Sequence, residues 1–306
     1  MHTTLSIIIV NWNTQKLLLN CLASLYQDPF IDPLDIWVVD NASTDDSVNA
    51  IRKEFPQVNL IECSENKGFA AGNNLALKRT KSEYVLLLNP DTLAAPGAIR
   101  CLFDFMESQP GAGAAGPALI NPDGTAQDSC FPFPSLSREF WRLLHLDTLY
   151  PYGIYDTKRW DHNQPRSVDV LQGACLMIRS KALEQVGLFD PNFFMYTEEV
   201  DLCYRLKKAG WSIFWIPAAQ VIHYGGQSTR QAAPEMFISL YQTKVQFFRK
   251  HYGARSARHY KAILFFAASA RILFSPLALL MKPPARARGL YLARRYIDLL
   301  ARLPKM

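Results

Sequence analysis

The sequence lacks the cysteine patterns that mark zinc sites and disulfide-bonded secreted proteins. Its six cysteines are scattered through 306 residues, and none belongs to a C-x-x-C pair. The N-terminus also lacks the basic segment and the small-residue cleavage site of a signal peptide, so we expect none. These absences exclude a disulfide framework and favour a protein that folds in a reducing cytosol.

Composition and charge describe a folded protein with a distinctive tail. With 49% hydrophobic and 20% charged residues, the chain is typical of a globular protein, and 306 residues suit one large domain plus an appendage. Residues 249–306 carry 13 Lys or Arg and one acid, a net charge of +12, whereas the whole chain carries +6. Residues 1–248 are therefore acidic. A basic tail indicates an anionic partner, either a membrane face or nucleic acid.

The first 120 residues alternate between strand-like and helix-like segments. Short apolar runs typical of buried strands occupy residues 5–10, 34–40, 58–63 and 84–89, with helical patterns between them. This rhythm predicts an α/β fold with a doubly wound, mostly parallel sheet. Such sheets bind ligands beyond the carboxyl ends of their strands, where Asn11, Asp40 and Asp91 follow three of these runs.

Two later regions differ from this rhythm. Residues 120–166 are rich in turn formers, and we expect a long, partly ordered excursion that serves as a lid or acceptor loop. Regular structure is predicted again over 168–186, 198–210 and the strand-like segment that follows. Beyond Pro234 the chain is predicted to be helical.

The apolar segment 262–281 contains Arg271 and Pro276. A spanning helix needs roughly 20 apolar residues, and a central arginine costs at least ~2.5 kcal/mol in a bilayer. We therefore expect helices that lie in the membrane interface, helped by the basic segment 286–296. The alternative is an amphipathic pair of helices packed on the main domain.

The motif LLLNPDT delivers Asp91 to the ligand-binding edge of the sheet. Hard cations such as Mg²⁺ or Mn²⁺ use one or two carboxylates together with phosphate oxygens. The alternative is an ordinary aspartate in a turn made rigid by proline. In VIHYGGQSTR, a neutral imidazole of His223 can ligate the same cation, and Arg230 can meet a phosphate, although a lone histidine is more often structural.

Three other motifs also allow two interpretations. Asp40 in VVDNASTDDS can accept a hydrogen bond from a base or a ribose, or the segment is a helix start capped by Ser43 or Thr44. Gly68 in ENKGFAAGNN permits close approach of a phosphate, or it belongs to a plain turn. The acids of FFMYTEEVDLCYR include Glu199, a candidate general base, or they only favour the dipole of a helix that begins there.

Taken in order, IIIVNWN, VVDNASTDDS, NKGFAAGNN, LLLNPDT, FFMYTEEVDLCYRLKKAGW and VIHYGGQS resemble the motifs of the family-2 inverting glycosyltransferases, and most of all their bacterial rhamnosyltransferase-type branch. The resemblance covers roughly residues 5–230. It implies a GT-A fold, a nucleotide-diphosphate-sugar donor and Mg²⁺ or Mn²⁺ as cofactor. It also implies a GT-A domain over 1–232, with a nucleotide-binding part of about 1–118 and an acceptor part of about 119–232, followed by a helical region over 233–306.

The resemblance assigns roles to individual residues. The family's D-x-D motif falls on Asn89-Pro90-Asp91, so Asp91 is the main carboxylate ligand of the metal, and His223 completes the metal site. The catalytic base falls on Glu199, with Glu198 as its rival, while Asp201 holds the helix and Trp211 packs beneath residues 172–174. The nucleotide-sugar-binding positions are Val10, Asn11, Asn13, Asp40, Asn66, Gly68, Asn73, Asn89, Asp91, Gln172, Gly173 and, from its place among phosphate-binding side chains, Arg230.

These assignments lead to a functional expectation. The enzyme transfers L-rhamnose from dTDP-rhamnose to a lipid-linked or polysaccharide acceptor in bacterial cell-surface glycan synthesis, by a single inverting displacement at the inner face of the cell membrane. The alternatives are another donor sugar (UDP-glucose, UDP-galactose or UDP-N-acetylglucosamine) and a catalytically silent nucleotide- or glycan-binding module. We expect no nucleic acid as partner, because an apolar run between arginines suits lipid better than a phosphate backbone.

Overall fold

The computed structural model describes residues 4–28, 30, 35–227, 229–276 and 282–306. The chain separates into two compact units. The first consists of residues 1–133, 156–194 and 198–231, and the second consists of residues 134–155, 195–197 and 232–306. The predicted division of the main domain near residue 118 stays a prediction.

The first unit is built on one large mixed sheet. Its strands are β1 (Leu5–Asn11), β2 (Asp35–Asp40), β3 (Asn59–Glu62), β4 (Tyr84–Leu88), β5 (Thr92–Ala94), β6 (Ala112–Ile120), β7 (Ala126–Gln127), β9 (Arg166–Ser167), β11 (Cys175–Arg179) and β12 (Ser212–His223), and β8 (Cys130–Phe131) pairs with β10 (Val170–Leu171) in a small second sheet. Its helices are α1 (Gln15–Tyr26), α2 (Ser47–Glu54), α3 (Gly68–Leu77), α4 (Ala98–Ser108), α6 (Ser180–Val186) and α7 (Glu198–Lys208). The main path through the large sheet is β3-β2-β1-β4-β11-β6-β12-β5.

The amino-terminal half of this sheet confirms the predicted doubly wound pattern. Strands β3, β2, β1 and β4 are parallel neighbours, and helices lie between them in the sequence. The side chains of Ile7, Ile8 and Ile9 are fully buried although they alternate between the two faces, because both faces of β1 are covered. Parallel strands bring their carboxyl ends to one edge, and Asn11 is in register with Asp40 there.

The second half of the sheet contains β12, which the sequence patterns predict, and β6, which they do not predict. Strand β11 is antiparallel to both β4 and β6, and β12 runs parallel to β6 and antiparallel to β5. The sequence of β6, AGAAGPALI, is poor in β-branched and aromatic residues, so its propensity does not indicate a strand. Small residues are needed there because a Cβ atom at Gly113 would lie 2.7 Å from Trp211 Cβ.

The excursion over residues 120–166 is more ordered than expected. It contains β7, β8 and the helix α5 (Leu136–Leu143), which the sequence patterns did not predict. The side chain of Ser135 accepts a hydrogen bond from the backbone N–H of Arg138, so α5 begins with a cap of the usual kind. Residues 134–155, including α5, belong to the second unit.

The second unit consists of α5 and two long helices, α8 (Ala233–Phe274) and α9 (Pro283–Arg302). Helix α8 is interrupted at Gly253, whose φ is 84°. Inside the unit the buried carboxylate of Glu139 lies 3.0 and 2.8 Å from Lys244 Nζ and also accepts a hydrogen bond from Tyr260. Burial of a charge is tolerated here because its partners are buried with it.

Arg271, in the middle of the apolar segment, is held by neighbours in the second unit. Its guanidinium donates to the backbone carbonyl of Leu143, lies 3.1 Å from His145 Nε2 and stands 5.0 Å over the ring of Tyr296. Residues 277–281 of that segment lie outside the described residues. Across the described ranges, the helices do not combine the length and the apolar character needed to cross a membrane.

Arg179, the last residue of β11, joins several elements of the first unit beside the start of β4. Its guanidinium donates to the carbonyl oxygen of Ala112 (3.0 Å), the hydroxyl of Tyr84 (2.7 Å) and the carbonyl oxygen of Met106 (2.7 Å). We predict that Arg179→Met lowers the free energy of unfolding by about 2–4 kcal/mol, because buried acceptors lose their donors. Urea denaturation followed by circular dichroism measures the free energy of unfolding.

Arg100→Met provides the matched control. Arg100 pairs with Asp104 one helical turn away, and both side chains are more than half exposed, so its loss should change the free energy of unfolding by no more than about 0.5 kcal/mol. Equal losses in the two variants would show that the bonds of Arg179 contribute no more than a surface pair.

Candidate active site

The loops after β1 and β2 are joined through buried polar side chains. Asn11 Nδ2 donates to Asp40 Oδ2 (3.0 Å) and to Ser43 Oγ (3.1 Å), while Asp40 Oδ1 accepts from the backbone N–H of Ser43 (2.9 Å). Thr14 Oγ1 donates to Asn11 Oδ1 (2.7 Å). Asp40 therefore fixes the loop that follows its strand. Each carboxylate oxygen of Asp40 has a second lone pair that can accept a hydrogen bond from a ligand. Recognition of a base by Asp40 stays a prediction.

The expectation that Ser43 or Thr44 caps a helix is wrong. Helix α2 begins at Ser47, and the carboxylate of Asp45 accepts from the backbone N–H of Ser47 instead. Ser43 and Thr44 contact the loop after β1, because Ser43 Oγ accepts from the N–H of Asn13, and Asn13 Oδ1 accepts from the N–H of Thr44. Asn13 has a φ of 53°, a conformation that asparagine tolerates better than most residues.

The segment around Gly68 is packed tightly against the rest of the first unit. Asn41 donates to Asn66 Oδ1 (2.8 Å), which also accepts from the N–H of Gly68 (2.9 Å). Gly68 has a φ of 79°, and a Cβ atom there would overlap the carbonyl oxygen of Phe194. Internal packing and backbone conformation thus explain this glycine, and its approach to a phosphate stays a prediction. Buried Asn73 donates to the carbonyl oxygen of Phe69 (2.9 Å).

Asp91 and His223 come together because β5 and β12 are paired. The register sets His223 opposite Thr92, the neighbour of Asp91. His223 Nε2 lies 3.4 Å from Asp91 Oδ1, and the two side chains are only 5% and 7% exposed. Asp91 Oδ2 accepts from the N–H of Gln227 at 3.4 Å. The two predicted metal ligands are therefore adjacent and buried.

The pair has the donor chemistry of a divalent-cation site. His223 Nδ1 lies 2.6 Å from Gln127 Oε1, whereas Nε2 makes no hydrogen bond within the described structure. A buried imidazole nitrogen and a carboxylate oxygen 3.4 Å apart, with no hydrogen bond between them, form an arrangement that a cation stabilises. Among the residues described, no group of three or more His, Cys, Asp or Glu could hold a metal. Phosphate oxygens of a ligand would supply the other positions around Mg²⁺ or Mn²⁺.

Glu198 and Glu199 lie at the start of α7, directly after a strained turn. Tyr196 and Thr197 have φ values of 72° and 71°. A β-branched residue rarely adopts this conformation, and such strain is concentrated at functional sites. The backbone energy stored in this turn supports a role for the two acids that follow it.

The two acids differ in their surroundings. Glu198 is buried, and this burial, together with the neighbouring charge of Glu199, raises the pKa of the Glu198 carboxyl well above its ordinary value. Glu198 therefore holds its proton more tightly than an ordinary glutamate does. Glu199 lies beside Gly173, since a Cβ atom at Gly173 would be 3.7 Å from Glu199 Cβ. This geometry favours Glu199 as the base.

A backbone hydrogen bond at this edge of the sheet links the segment beside Glu199 to the loop that carries Asp91. The backbone N–H of Asn89 donates to the carbonyl oxygen of Ala174 (2.9 Å), and Ala174 follows Gly173. Asn89 is two residues from Asp91, and Gly173 lies beside Glu199, so Asp91 and Glu199 belong to the same edge of the sheet. The N–H of Gln172 donates to the carbonyl oxygen of Ser129.

Other residues around α7 are structural. Fully buried Asp201 accepts from Arg205 Nε (2.9 Å), and the same guanidinium donates to the carbonyl oxygens of Val186, Gly187 and Leu188. Asp201 holds the helix as expected, and Arg205 joins it to the segment that follows α6. Trp211, expected beneath residues 172–174, lies against Gly113 and donates to Gln185 Oε1. The side chain of Arg230 lies outside the described residues, as does Ser228.

Sequence reasoning missed Gln127, the residue that contacts His223 Nδ1. The turn formers NPDG at 121–124 are a recognisable turn signal, and the structure places there a tight hairpin between β6 and β7. The contact between Gln127 and a histidine 96 positions later depends on tertiary structure.

Comparison with known proteins identifies the family. Residues 6–187, more than half of the chain, match the family model described as "Glycosyl transferase family 2". The chain belongs to this family. It is 35% identical over 211 residues to the N-acetylglucosaminyl-diphospho-decaprenol L-rhamnosyltransferase of Mycobacterium tuberculosis. That alignment covers 64% of this chain and 68% of the relative. It is 28% identical over 180 residues to the rhamnosyltransferase WbbL of Escherichia coli, in an alignment that covers 56% of this chain and 66% of that relative.

The solved structures show the fold of this family-2 glycosyltransferase. The mannosyltransferase PcManGT from Pyrobaculum calidifontis, solved with GDP-Man and Mn²⁺, aligns with a TM-score of 0.59 at 18% identity and covers 99% of this chain and 87% of that one. The predicted GT-A fold with additional C-terminal helices is confirmed. The resemblance to the family and to its rhamnosyltransferases is confirmed as well.

The surroundings of Glu198 predict how stability depends on pH. Because the pKa of Glu198 is raised in the folded protein, its contribution to stability is present at low pH and is lost as the pH rises through that folded-state value. We predict that Glu198→Gln, which cannot ionise, gains stability relative to the unmodified protein as the pH rises from 4 to 8. Urea denaturation at several pH values measures the difference.

Glu184→Gln, at an exposed position of α6, is the control and should show no such trend. An unchanged pH dependence in Glu198→Gln would mean that Glu198 ionises as freely in the folded protein as in the unfolded chain.

Proposed function

We propose that this family-2 glycosyltransferase transfers L-rhamnose from dTDP-rhamnose to a hydroxyl group of a lipid-linked or polysaccharide acceptor in bacterial cell-surface glycan synthesis. The observation that carries the catalytic part is the arrangement at the carboxyl edge of the sheet. Asp40 and Asn11 lie at the ends of β2 and β1. Asp91 follows β4 and lies beside His223 at the end of β12, and Glu199 lies beside Gly173. The printed names of the rhamnosyltransferase relatives support the choice of sugar.

The proposed mechanism is a single in-line displacement. Glu199 accepts the proton of the acceptor hydroxyl while that oxygen forms a bond to the anomeric carbon. The bond between the anomeric carbon and the nucleoside diphosphate breaks in the same step, so the configuration inverts. Asp91 and His223 would hold a Mg²⁺ or Mn²⁺ ion, which would supply positive charge next to the departing diphosphate. Asn11, Asn13 and Asp40 would hold the nucleoside part of the donor.

A panel of donors tests the sugar. Nucleoside-diphosphate release would be measured with dTDP-rhamnose, UDP-glucose, UDP-galactose and UDP-N-acetylglucosamine, with and without Mn²⁺ or Mg²⁺. We expect turnover with dTDP-rhamnose. Turnover with one of the other sugars alone would replace rhamnose by that sugar, and the absence of both turnover and metal-dependent donor binding would favour a silent binding module.

Variants test the residues. We expect Glu199→Gln to lower kcat at least about 100-fold with little effect on donor binding, because the general base is lost. Asp91→Asn should weaken donor binding that depends on the metal. Glu184→Gln is the matched control and should retain normal turnover. Normal turnover in Glu199→Gln, together with its loss in Glu198→Gln, would transfer the role of base to Glu198.

We also propose that the second unit binds the anionic face of the cell membrane. Fifteen large hydrophobic side chains are exposed among the described residues, and thirteen of them belong to this unit. On α8, four of them lie on one side of the helix and are 50–73% exposed. These four, which we call the apolar stripe, are Phe265, Phe266, Leu273 and Phe274. The surfaces of soluble monomeric proteins rarely expose large apolar patches that do not bind a partner.

Basic residues accompany these exposed apolar side chains. Helical spacing places Arg255 and Arg258 on the side of α8 that carries the apolar stripe, about two to three turns before it, and both are exposed. On α9, exposed Arg286 and Arg294 alternate with exposed Leu290, Tyr291 and Ile297. Apolar side chains that enter the headgroup region, flanked by cations, are the pattern of an interfacial helix on anionic lipid.

Vesicle flotation tests this surface. The complete protein should float with phosphatidylglycerol vesicles and much less with phosphatidylcholine vesicles, and higher salt should weaken the binding. The double variant Phe265→Ser/Phe266→Ser should lose at least about tenfold in partitioning, because two apolar anchors are removed. Tyr26→Ser, an exposed position of the first unit, should bind like the unmodified protein. Equal flotation of the double variant and the unmodified protein would refute the apolar stripe as the membrane contact.

A further inference from the structure

A short hairpin lies next to Asp91 and His223 and contacts the imidazole of His223. Strand β7 folds back on β6, with Gln127 opposite Leu119, and β6 is also the parallel neighbour of β12, which ends at His223. This geometry brings Gln127 Oε1 to 2.6 Å from His223 Nδ1. Neither Gln127 nor the hairpin belongs to the six motifs that indicate the function.

The direction of each hydrogen bond in this hairpin follows from its neighbours. The Asp123 carboxylate, whose pKa is lowered by its hydrogen bonds with Thr125, acts as an acceptor, so the hydroxyl of Thr125 donates to Asp123 Oδ1 (2.6 Å). Because the single proton of that hydroxyl is donated to Asp123, Thr125 Oγ1 can only accept from Asn121, and it does so from Asn121 Nδ2 (2.9 Å). The carbonyl oxygen of the Asn121 amide therefore points the other way and accepts from Gln127 Nε2 (2.8 Å).

The orientation of Gln127 then determines the tautomer of His223. A reversed amide would set Gln127 Oε1 against two other acceptors, Asn121 Oδ1 and the backbone carbonyl of His223. With the observed orientation, Gln127 Oε1 faces His223 Nδ1, so Nδ1 carries the proton. A neutral imidazole protonated at Nδ1 has its lone pair at Nε2, the atom that lies 3.4 Å from Asp91 Oδ1.

We propose that Gln127, oriented by Asn121, is a positioning residue that holds His223 in the Nδ1-protonated tautomer, so that its Nε2 lone pair and Asp91 together receive a divalent cation. The inference rests on the proposed function, because it concerns the same cation site. Histidine ligands of metals usually donate their second ring N–H to an oxygen acceptor, and loss of that acceptor typically weakens metal binding about 10–100-fold. Here the acceptor is a side-chain amide fixed by a hairpin.

Two measurements on the complete protein test the proposal without a turnover assay. The first is ¹⁵N NMR of the metal-free protein with ¹⁵N-labelled histidine, in which the two ring-nitrogen shifts of His223 report the tautomer. The second is Mn²⁺ binding, followed by electron paramagnetic resonance of the free ion. We expect the Nδ1-protonated form in the unmodified protein, and in Gln127→Leu a mixture of tautomers with Mn²⁺ affinity lowered about 10–100-fold.

Gln127→Glu keeps an oxygen acceptor at the position of Oε1, so we expect the Nδ1-protonated form to persist and Mn²⁺ affinity to stay within about threefold of the unmodified protein or to rise. Its second oxygen replaces the donor Nε2 opposite Asn121, so the unfolding temperature should fall although the tautomer persists. Gln164→Leu, at an exposed loop position, controls for the substitution itself and should change neither measurement. Thermal unfolding shows whether each variant is folded.

The outcomes separate this inference from the proposed function. If His223→Ala leaves Mn²⁺ affinity unchanged, the cation site itself is misassigned. If His223→Ala weakens binding but Gln127→Leu leaves both the tautomer and the affinity unchanged, only the role of Gln127 is refuted. A role confined to the stability of the hairpin would lower the unfolding temperature of Gln127→Leu without changing the tautomer, and that result also contradicts the proposal.

Discussion

The pairing of β12 with β5 is the interaction on which the candidate site depends. Their register sets His223 opposite Thr92 and thereby beside Asp91, although the two residues are far apart in the sequence. The same strand, β12, is the parallel neighbour of β6, and through β6 the β6–β7 hairpin reaches the imidazole. The pairing of this one strand thus brings together His223, the carboxylate of Asp91 and the amide of Gln127. A backbone ladder is a suitable support, because regular strands hold side chains more accurately than loops do.

Buried polar groups at this edge are stabilised in different ways. Asp40 is fixed by Asn11 and Ser43, whereas burial and the charge of Glu199 raise the pKa of the Glu198 carboxyl. Both acids follow a turn in which two non-glycine residues have left-handed backbone conformations. Backbone strain of this kind is concentrated at functional sites. Two adjacent acids with chemically identical side chains thus differ in their surroundings, because Glu198 is the more buried of the two.

The second unit has a different physical character. Its interior contains a carboxylate bound to Lys244 and Tyr260, and Arg271 is held by the carbonyl oxygen of Leu143 and the ring of Tyr296. Its surface exposes aromatic and aliphatic side chains among arginines. An arginine that looked like an obstacle inside an apolar segment is thus part of the packing of this unit, while the phenylalanines near it in the sequence face outward.

The sequence by itself determined the parallel half of the sheet, because buried parallel strands are short apolar runs between amphipathic helices and this pattern is local. It also determined the family, since six motifs stand in a fixed order. Only the tertiary structure decided that β6, poor in strand-forming residues, is a strand, that Ser43 and Thr44 do not cap a helix, and that Glu198 and Glu199 differ. The partner of His223 Nδ1 was also beyond sequence reasoning. Register, burial and hydrogen-bond direction depend on residues distant in the chain, so no local pattern contains them.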